Sequence, residues 1–390
     1  MKALTLAPPK AKGWHRAALT LALLGWVAIA TAADVMGPAV SAAFGPDGRL
    51  WRVTPYRSEV LVDVSDDLGR TFRDAVRVNP RKQRMRASAE DRPGIVVDED
   101  GRIFVLYFAD AKQKWTSFLT VSHDGGKTFA PPLHPSSVAE TTPHYQARLH
   151  LAADGRLYVL WMDERDRPDQ PGGTVYFTSL TGGEPELRPN RKLYAPLCEC
   201  CRLAVGTNAD GVATLLARFV FDGQTRDMGS LQFGPAGALG SVKRLSHDEW
   251  SIEACPEHGP SLSIGADGTY HYAWFTLGRA RQGLYYANLS SDGVSSAPMQ
   301  LGSLEQLAGH ADVMALGHTI AIVWQTFDGQ QTTIKLMTSQ DNGENWSIPA
   351  DIASAASGAD YPFLLTHGGR IYVSWYSQGG GYRLIPVTSE

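Results

Sequence analysis

The chain has 390 residues, 43% of them hydrophobic, with 39 Gly, 10 Trp and four Cys. That is enough apolar material for a large core, and so much Gly and Trp suits short strands and tight turns. The formal charge is −4, and without a basic leader it is −8, from 32 basic and 40 acidic residues, which excludes nucleic acid as a partner and gives no basic membrane-binding face.

The first 32 residues read as a secretory signal. Lys2, Lys10, Lys12 and Arg16 precede an apolar run over Ala17–Ala30, and Ala30-Thr31-Ala32 is a small-x-small cleavage site. The run is shorter than the roughly 20 residues that a membrane span needs. The expectation is export, most simply to a bacterial periplasm, with no stable membrane span after cleavage. An uncleaved N-terminal anchor is the alternative. Residues 33–390 are expected to form a single domain.

From there one pattern recurs: a turn Gly, then an apolar strand that often ends in Trp or Tyr. The glycines are Gly48, Gly101, Gly155, Gly211, Gly268, Gly317 and Gly369, at intervals of 53, 54, 56, 57, 49 and 52 residues. A short apolar strand lies before each turn and another follows. About 50 residues holding three or four antiparallel strands, without helical periodicity, is the unit of a β-propeller blade. One blade cannot bury both faces, whereas a closed ring can. The expected fold is therefore an all-β propeller of seven four-stranded blades, with six as the alternative. Asp34–Pro38 is expected to supply the outer strand that the last repeat lacks.

Three turns are more specific. Ser65 to Phe72, Ser122 to Phe129 and Ser339 to Trp346 fit Ser-x-Asp-x-Gly-x-Thr-aromatic, the third with Asn for Thr. In each, the Asp carboxylate can accept backbone N–H bonds and the Gly takes a positive φ. With Asp67, Gly69, Asp124, Gly126, Asp341 and Gly343 at the defining positions, the chain resembles the Asp-box (BNR repeat) sialidase-like propellers, in which these turns are structural. Sialidases of that family clamp a substrate carboxylate with three arginines, attack with a Tyr partnered by a Glu, and use an Asp as acid–base. The resemblance implies Arg92, Arg202, Tyr361 and Asp360 as the corresponding set. It departs from the family in lacking Arg-Ile-Pro before the first Asp box. The equivalent ring positions read Arg92, Gln146, Arg202 and Gly259, which is not an arginine triad.

The four cysteines suggest different chemistry. Cys198 and Cys255 both fall 13 residues before a repeat Gly, and Cys201 and His258 both fall 10 before. With Cys200, His310 and, at second rank, His144, they give a Cys/His set at the channel mouth, where soft ligands favour copper first and zinc second. Asp91, Tyr145 and Asp360 fall near the same level. In an oxidising compartment the competing expectation is disulfides, between Cys198 and Cys255 on adjacent blades or between Cys200 and Cys201. Met85 sits in a basic run expected to be a solvated loop.

The leading expectation is an exported propeller that binds a soft metal for metal handling or redox chemistry. Its partner would be the metal ion or a metal-handling protein, with no nucleotide cofactor. The alternatives are a sialidase-like glycoside hydrolase and a propeller that only binds protein or glycan. If it is an enzyme, the expectation is an exo-sialidase-like glycosidase or a copper redox enzyme.

Overall fold

The computed structural model describes residues 35–388, apart from Gln113, Asp169, the stretch 182–185, Glu253, Cys255 and Ser357. The expected leader and Cys255 lie outside the described residues. Everything described is strand, turn or loop, and no helix among these residues is long and apolar enough to cross a membrane.

Antiparallel pairing groups the strands into successive meanders. The first is Ser41–Phe44, Leu50–Tyr56, Glu59–Ser65 and Arg73–Arg77. The second is Gly94–Val97, Ile103–Ala111 and Lys114–Ser122. His144–Leu151, Leu157–Asp163, Gly173–Leu180 and Arg191–Leu197 follow. Next come Ala204–Thr207, Ala213–Phe221 and Thr225–Gly234, edged by Lys243–Arg244. Then come Ser261–Ile264 to Met299–Gly302, Gly309–Leu316 to Ala350–Ala355, and Phe363–His367 to Gly381–Pro386. The first strand of each meander packs against the first strand of the next. Phe363–His367 packs back against Ser41–Phe44, so the inner strands surround one axis as in a β-propeller.

The hairpin glycines read from the sequence all take positive φ, between 59° and 81°. The strand-ending tryptophans Trp161, Trp274, Trp324 and Trp375 are each at most 1% exposed. Apolar clusters fill the interfaces between successive meanders: Val53, Val62 and Val105 at the first, Leu106, Val159 and Trp161 at the second. The last-to-first interface is built differently. Phe44 stacks on His367 at 4.4 Å, and Arg52, paired with Asp63 at 2.6 Å, lies 3.6 Å from the Phe72 ring. Phe72 in turn meets Tyr382 edge-on at 5.4 Å. Here aromatic and cation–π contacts do the joining.

Two expectations fail. Val35–Met36 does not extend the last meander: it runs parallel to Met85–Ala87, which itself pairs with Ile103–Ala111, so residues 35–36 are held by the second meander. The last sheet has three strands. For the same reason Met85 is not in a solvated loop; it is 1% exposed, within the core between the first two meanders.

The Ser-x-Asp-x-Gly turns share one hydrogen-bond net. Ser65, Ser122 and Ser339 Oγ donate to Asp67, Asp124 and Asp341 Oδ1 at 2.8, 2.8 and 2.7 Å, and accept from Gly69, Gly126 and Gly343 N at 2.8, 2.9 and 2.8 Å. The other carboxylate oxygen accepts from Thr71, Thr128 or the Asn345 amide. The Thr71 hydroxyl and N–H hold Asp67 down at about 2, the Asn345 N–H and amide hold Asp341 at about 2, and Thr128 holds Asp124 lower still. These depressed values mean that the stabilisation is present above the unfolded value near 4 and is lost as pH falls towards 2. Accordingly, a triple Asp67→Asn, Asp124→Asn, Asp341→Asn variant should melt lower than the parent at pH 7. It should also lose less Tm than the parent between pH 4.5 and 2, as read by circular dichroism.

Candidate functional site

The inner strands begin at one end of the channel, and the loops entering them carry the charged residues. Glu90 is at the centre of this end and is 4% exposed. Its Oε1 accepts the backbone N–H of Arg202 at 2.9 Å and of Gly259 at 2.7 Å, and its Oε2 lies 3.4 Å from Arg202 Nη1. Gly259 is required by this approach, since a Cβ there would lie 2.1 Å from Arg202 Cγ. Arg202 also donates to the Ala311 carbonyl at 2.8 Å and the Pro260 carbonyl at 3.3 Å.

A second junction closes the ring. Asp360 accepts from Arg92 Nη2, Val40 N and Tyr361 N, each at 2.7 Å, and is 1% exposed. It therefore ties the last meander to the first two. Arg92 also donates to the Val40 and Ala89 carbonyls.

A third arginine joins these two. A bulge between Tyr145 and Arg148, with Gln146 at φ 53°, turns Arg148 into the channel two residues after the position the repeat alignment indicates. Arg148 donates to the Glu90 carbonyl and to Gln146 Oε1. The arginine triad missing from the sequence register is thus present in space as Arg92, Arg148 and Arg202. All three line a cavity of about 320 Å³ with Asp312 and Tyr361, while Ile95, Leu149, Leu262 and Leu365 make its apolar wall. Of the five N–H groups on each guanidinium, the described bonds use four on Arg92, three on Arg148 and three on Arg202. The remainder can meet an anion.

Burial pushes the carboxyls of Asp91 and Asp360 up to about 6, against the opposing pull of Arg148 on Asp91 and of Arg92 on Asp360. Neither Asp91 oxygen has a hydrogen-bond partner, and the nearest cations are Arg86 at 3.7 Å and Arg148 at 4.0 Å. Burial lowers Arg148 to about 10, so it stays charged at neutral pH.

His258, His310 and Tyr361 form a stack. The His258 ring lies 4.1 Å from Phe275 and 4.3 Å from His310, and His310 lies 3.5 Å from Tyr361 with the planes 10° apart. Ring-nitrogen lone pairs lie in the ring planes, so stacked rings aim them side by side and not at a common ion. Burial lowers His258 to about 4 and holds His310 well below its ordinary value, which keeps both neutral. Burial raises the Tyr361 phenol, with Glu90 adding to it and Arg202 and Arg92 opposing.

The cysteines are separate from this stack. Cys198, Cys200 and Cys201 carry free thiols within 4.8 Å of one another, and no other His, Cys, Asp or Glu among the described residues joins the group. Hydrogen bonds from Cys200 and Cys201 push the Cys198 thiol down, with Arg218 and Arg226 assisting, whereas burial raises Cys201. The expected Cys200–Cys201 bridge is therefore absent. His144 is also apart: it is fully buried beside Thr116, Ser117 and Trp161. Sequence reasoning missed Glu90 and Arg148. The Glu90-Asp91-Arg92 run was the available signal, and the repeat alignment selected its second and third members.

No family model matches the sequence, and no curated protein sequence does. Solved structures share the fold. An ulvan lyase of polysaccharide lyase family PL25, bound to a GlcA–Rha3S unit, aligns at 10% identity and TM-score 0.56, over 91% of this chain and 94% of its own. A Penicillium chrysogenum α-L-arabinanase aligns at 15% and 0.51, over 79% and 94%. A Hadza microbial sialidase aligns at 12% and 0.51, over 91% of this chain, which spans 66% of the sialidase. The chain thus resembles the sialidase-like β-propellers at the level of fold.

Glu90→Ala strands two buried N–H groups and the Arg202 charge. It should cost about 3–5 kcal/mol in urea unfolding. Because the folded value of Asp91 lies above its ordinary 3.8, its ionisation opposes folding as pH rises through about 4 to 6. Asp91→Asn should therefore raise Tm at pH 7.5 and leave it unchanged at pH 4.

Proposed function

We propose that this chain is an exported, seven-bladed Asp-box propeller of the sialidase-like glycoside-hydrolase kind, taking an acidic sugar at the arginine-lined end of its channel. The observation that carries this reading is the meeting of Arg92, Arg148 and Arg202 with Tyr361 in one cavity, although Arg92 and Tyr361 are 269 residues apart. Guanidinium N–H groups answer a sugar carboxylate with charge-assisted bonds. Tyr361 is the attacking group. Its hydroxyl lies in the field of the Glu90 and Glu257 carboxylates and of the Arg202 and Arg92 guanidiniums. Glu257 is exposed and suited to accept the phenol proton; Glu90 is committed to the ring. As the Tyr361 oxygen bonds to the anomeric carbon through an oxocarbenium-like centre, the glycosidic C–O bond breaks and the departing oxygen takes a proton from solvent. A water molecule then hydrolyses the glycosyl–tyrosine bond and restores the phenol; the arginines offset the phenolate charge. Asp360 positions Arg92 and Tyr361, and its burial keeps it from substrate. The three fold neighbours, each named for carbohydrate chemistry, support the reading by analogy of fold. The thiols take no part in it.

Charge sets the pH dependence. Arg86, Arg92, Arg148 and Arg202 face Glu90, Asp91, Asp312 and Asp360 at this end. Protonating Asp91 and Asp360 below about 6 leaves the arginines in excess, while His258 and His310 stay neutral. An acidic sugar should therefore bind at least about tenfold more tightly at pH 5 than at pH 7.5, a difference of about 1.4 kcal/mol. A fluorogenic panel of sialosides and uronides, beside neutral glycosides, checks the activity. Turnover confined to acidic glycosides is expected, with kcat of Tyr361→Phe lower by at least about a hundredfold. Turnover of neutral glycosides alone, or an unaffected Tyr361→Phe, would sink the reading.

A further inference from the structure

We infer that Cys198, Cys200 and Cys201 form a three-thiolate site for a soft monovalent cation, copper(I), independent of the sugar site. The strand Arg191–Leu197 delivers Cys198, and the next three residues turn back before the strand Ala204–Thr207. This tight loop brings the Cys198 sulfur to 3.4 Å from that of Cys201 and 3.8 Å from that of Cys200. A disulfide needs about 2.05 Å, so the sulfurs are unbonded. Three sulfurs around one ion at about 2.3 Å stand about 4 Å apart, close to the spacing already present. Cys198 and Cys201 are buried, and Cys200, half-buried, leaves a way in.

A second observation points to an anionic complex here. Arg218 is 1% exposed, yet its partners are the carbonyls of Arg226, His258 and Phe275, all neutral, and its Nε has none. Arg226 donates to the Cys198 sulfur at 3.4 Å, and its Nε also lacks a partner. Neither arginine has a carboxylate partner among the described residues. A buried charge such as that of Arg218 requires a counter-charge, and Arg226, partly exposed, adds a second cation beside the sulfurs. Three thiolates around a monovalent cation carry a net charge of −2, which two guanidiniums balance.

The donor set favours copper(I) over zinc. Zinc in a structural site takes four ligands in a tetrahedron, and no fourth donor among the described residues joins the three sulfurs. Thiolates alone, in a low-coordinate set, suit copper(I). The binding step is ligation without electron transfer: the sulfurs coordinate as thiolates, the thiol protons leave to solvent, and copper stays in the +1 state.

The test uses the full chain, purified anaerobically with reductant and loaded with Cu(I), then challenged with bathocuproine disulfonate. One copper per chain should be retained, with X-ray absorption showing three sulfurs at about 2.3 Å. Cys200→Ser changes a half-buried thiol and should leave Tm near the parent's, but it should release copper to at least tenfold less chelator. Tyr361→Phe should retain it like the parent. Absorption on the parent reports the ligands without any variant. Three results would overturn the inference: equal stripping of parent and Cys200→Ser, retention of zinc with four ligands in place of copper, or at most two titratable thiols of the four, with no metal, in protein purified without reductant.

Discussion

The carboxylate of Glu90 holds the centre of this ring. It comes from the loop before the second meander and accepts N–H bonds from residues 112 and 169 positions further on. Bonds of this kind, from backbone N–H to a buried carboxylate, are about twice as strong as neutral ones. They also remove the burial penalty from both partners. Since Arg202, held by Glu90, reaches on to the Ala311 carbonyl, one acidic side chain registers four meanders. Asp360 does the same across the closing interface, where the apolar clusters of the other interfaces give way to aromatic and arginine contacts.

This arrangement gives the channel end a dual character. The arginines that join meanders through carbonyls also line the cavity. Their fixed positions mean that an anion meets donors already oriented, so little reorganisation accompanies binding. Raised carboxyl values at Asp91 and Asp360 come from the same burial, and they make the net charge of the site depend on pH. The thiol loop abuts this region, with Gln146 donating to the Cys200 carbonyl and Arg202 next to Cys201 in the chain. The two proposed sites thus share one face without sharing ligands.

The repeat was legible because its period is carried by backbone requirements. A turn that needs positive φ selects Gly, and a carboxylate that gathers turn N–H groups selects Asp, wherever the turn recurs. Resemblance to the sialidase-like propellers rested on those positions. The channel end was harder to read because bulges break the period there. Gln146 at φ 53° and His310 at φ 55° shift the register of their strands, so Arg148 enters the cavity where a fixed offset pointed to Gln146. The neighbouring offset, ten residues before the repeat Gly, selected Asp91 where Glu90 makes the central bonds. Cys201 and His258 share a register yet part in space, because His258 stacks between Phe275 and His310. Register along one strand does not fix side-chain direction across a ring.

Crystals soaked at pH 5.5 with sialic acid or glucuronic acid would examine the sugar site most directly. A sugar carboxylate seated among Arg92, Arg148 and Arg202, with the ring carbon beside Tyr361 Oη, is the expected density. A sugar held elsewhere on the ring, or a cavity unchanged at saturating sugar, would contradict the proposal and leave the three arginines as ties between meanders alone.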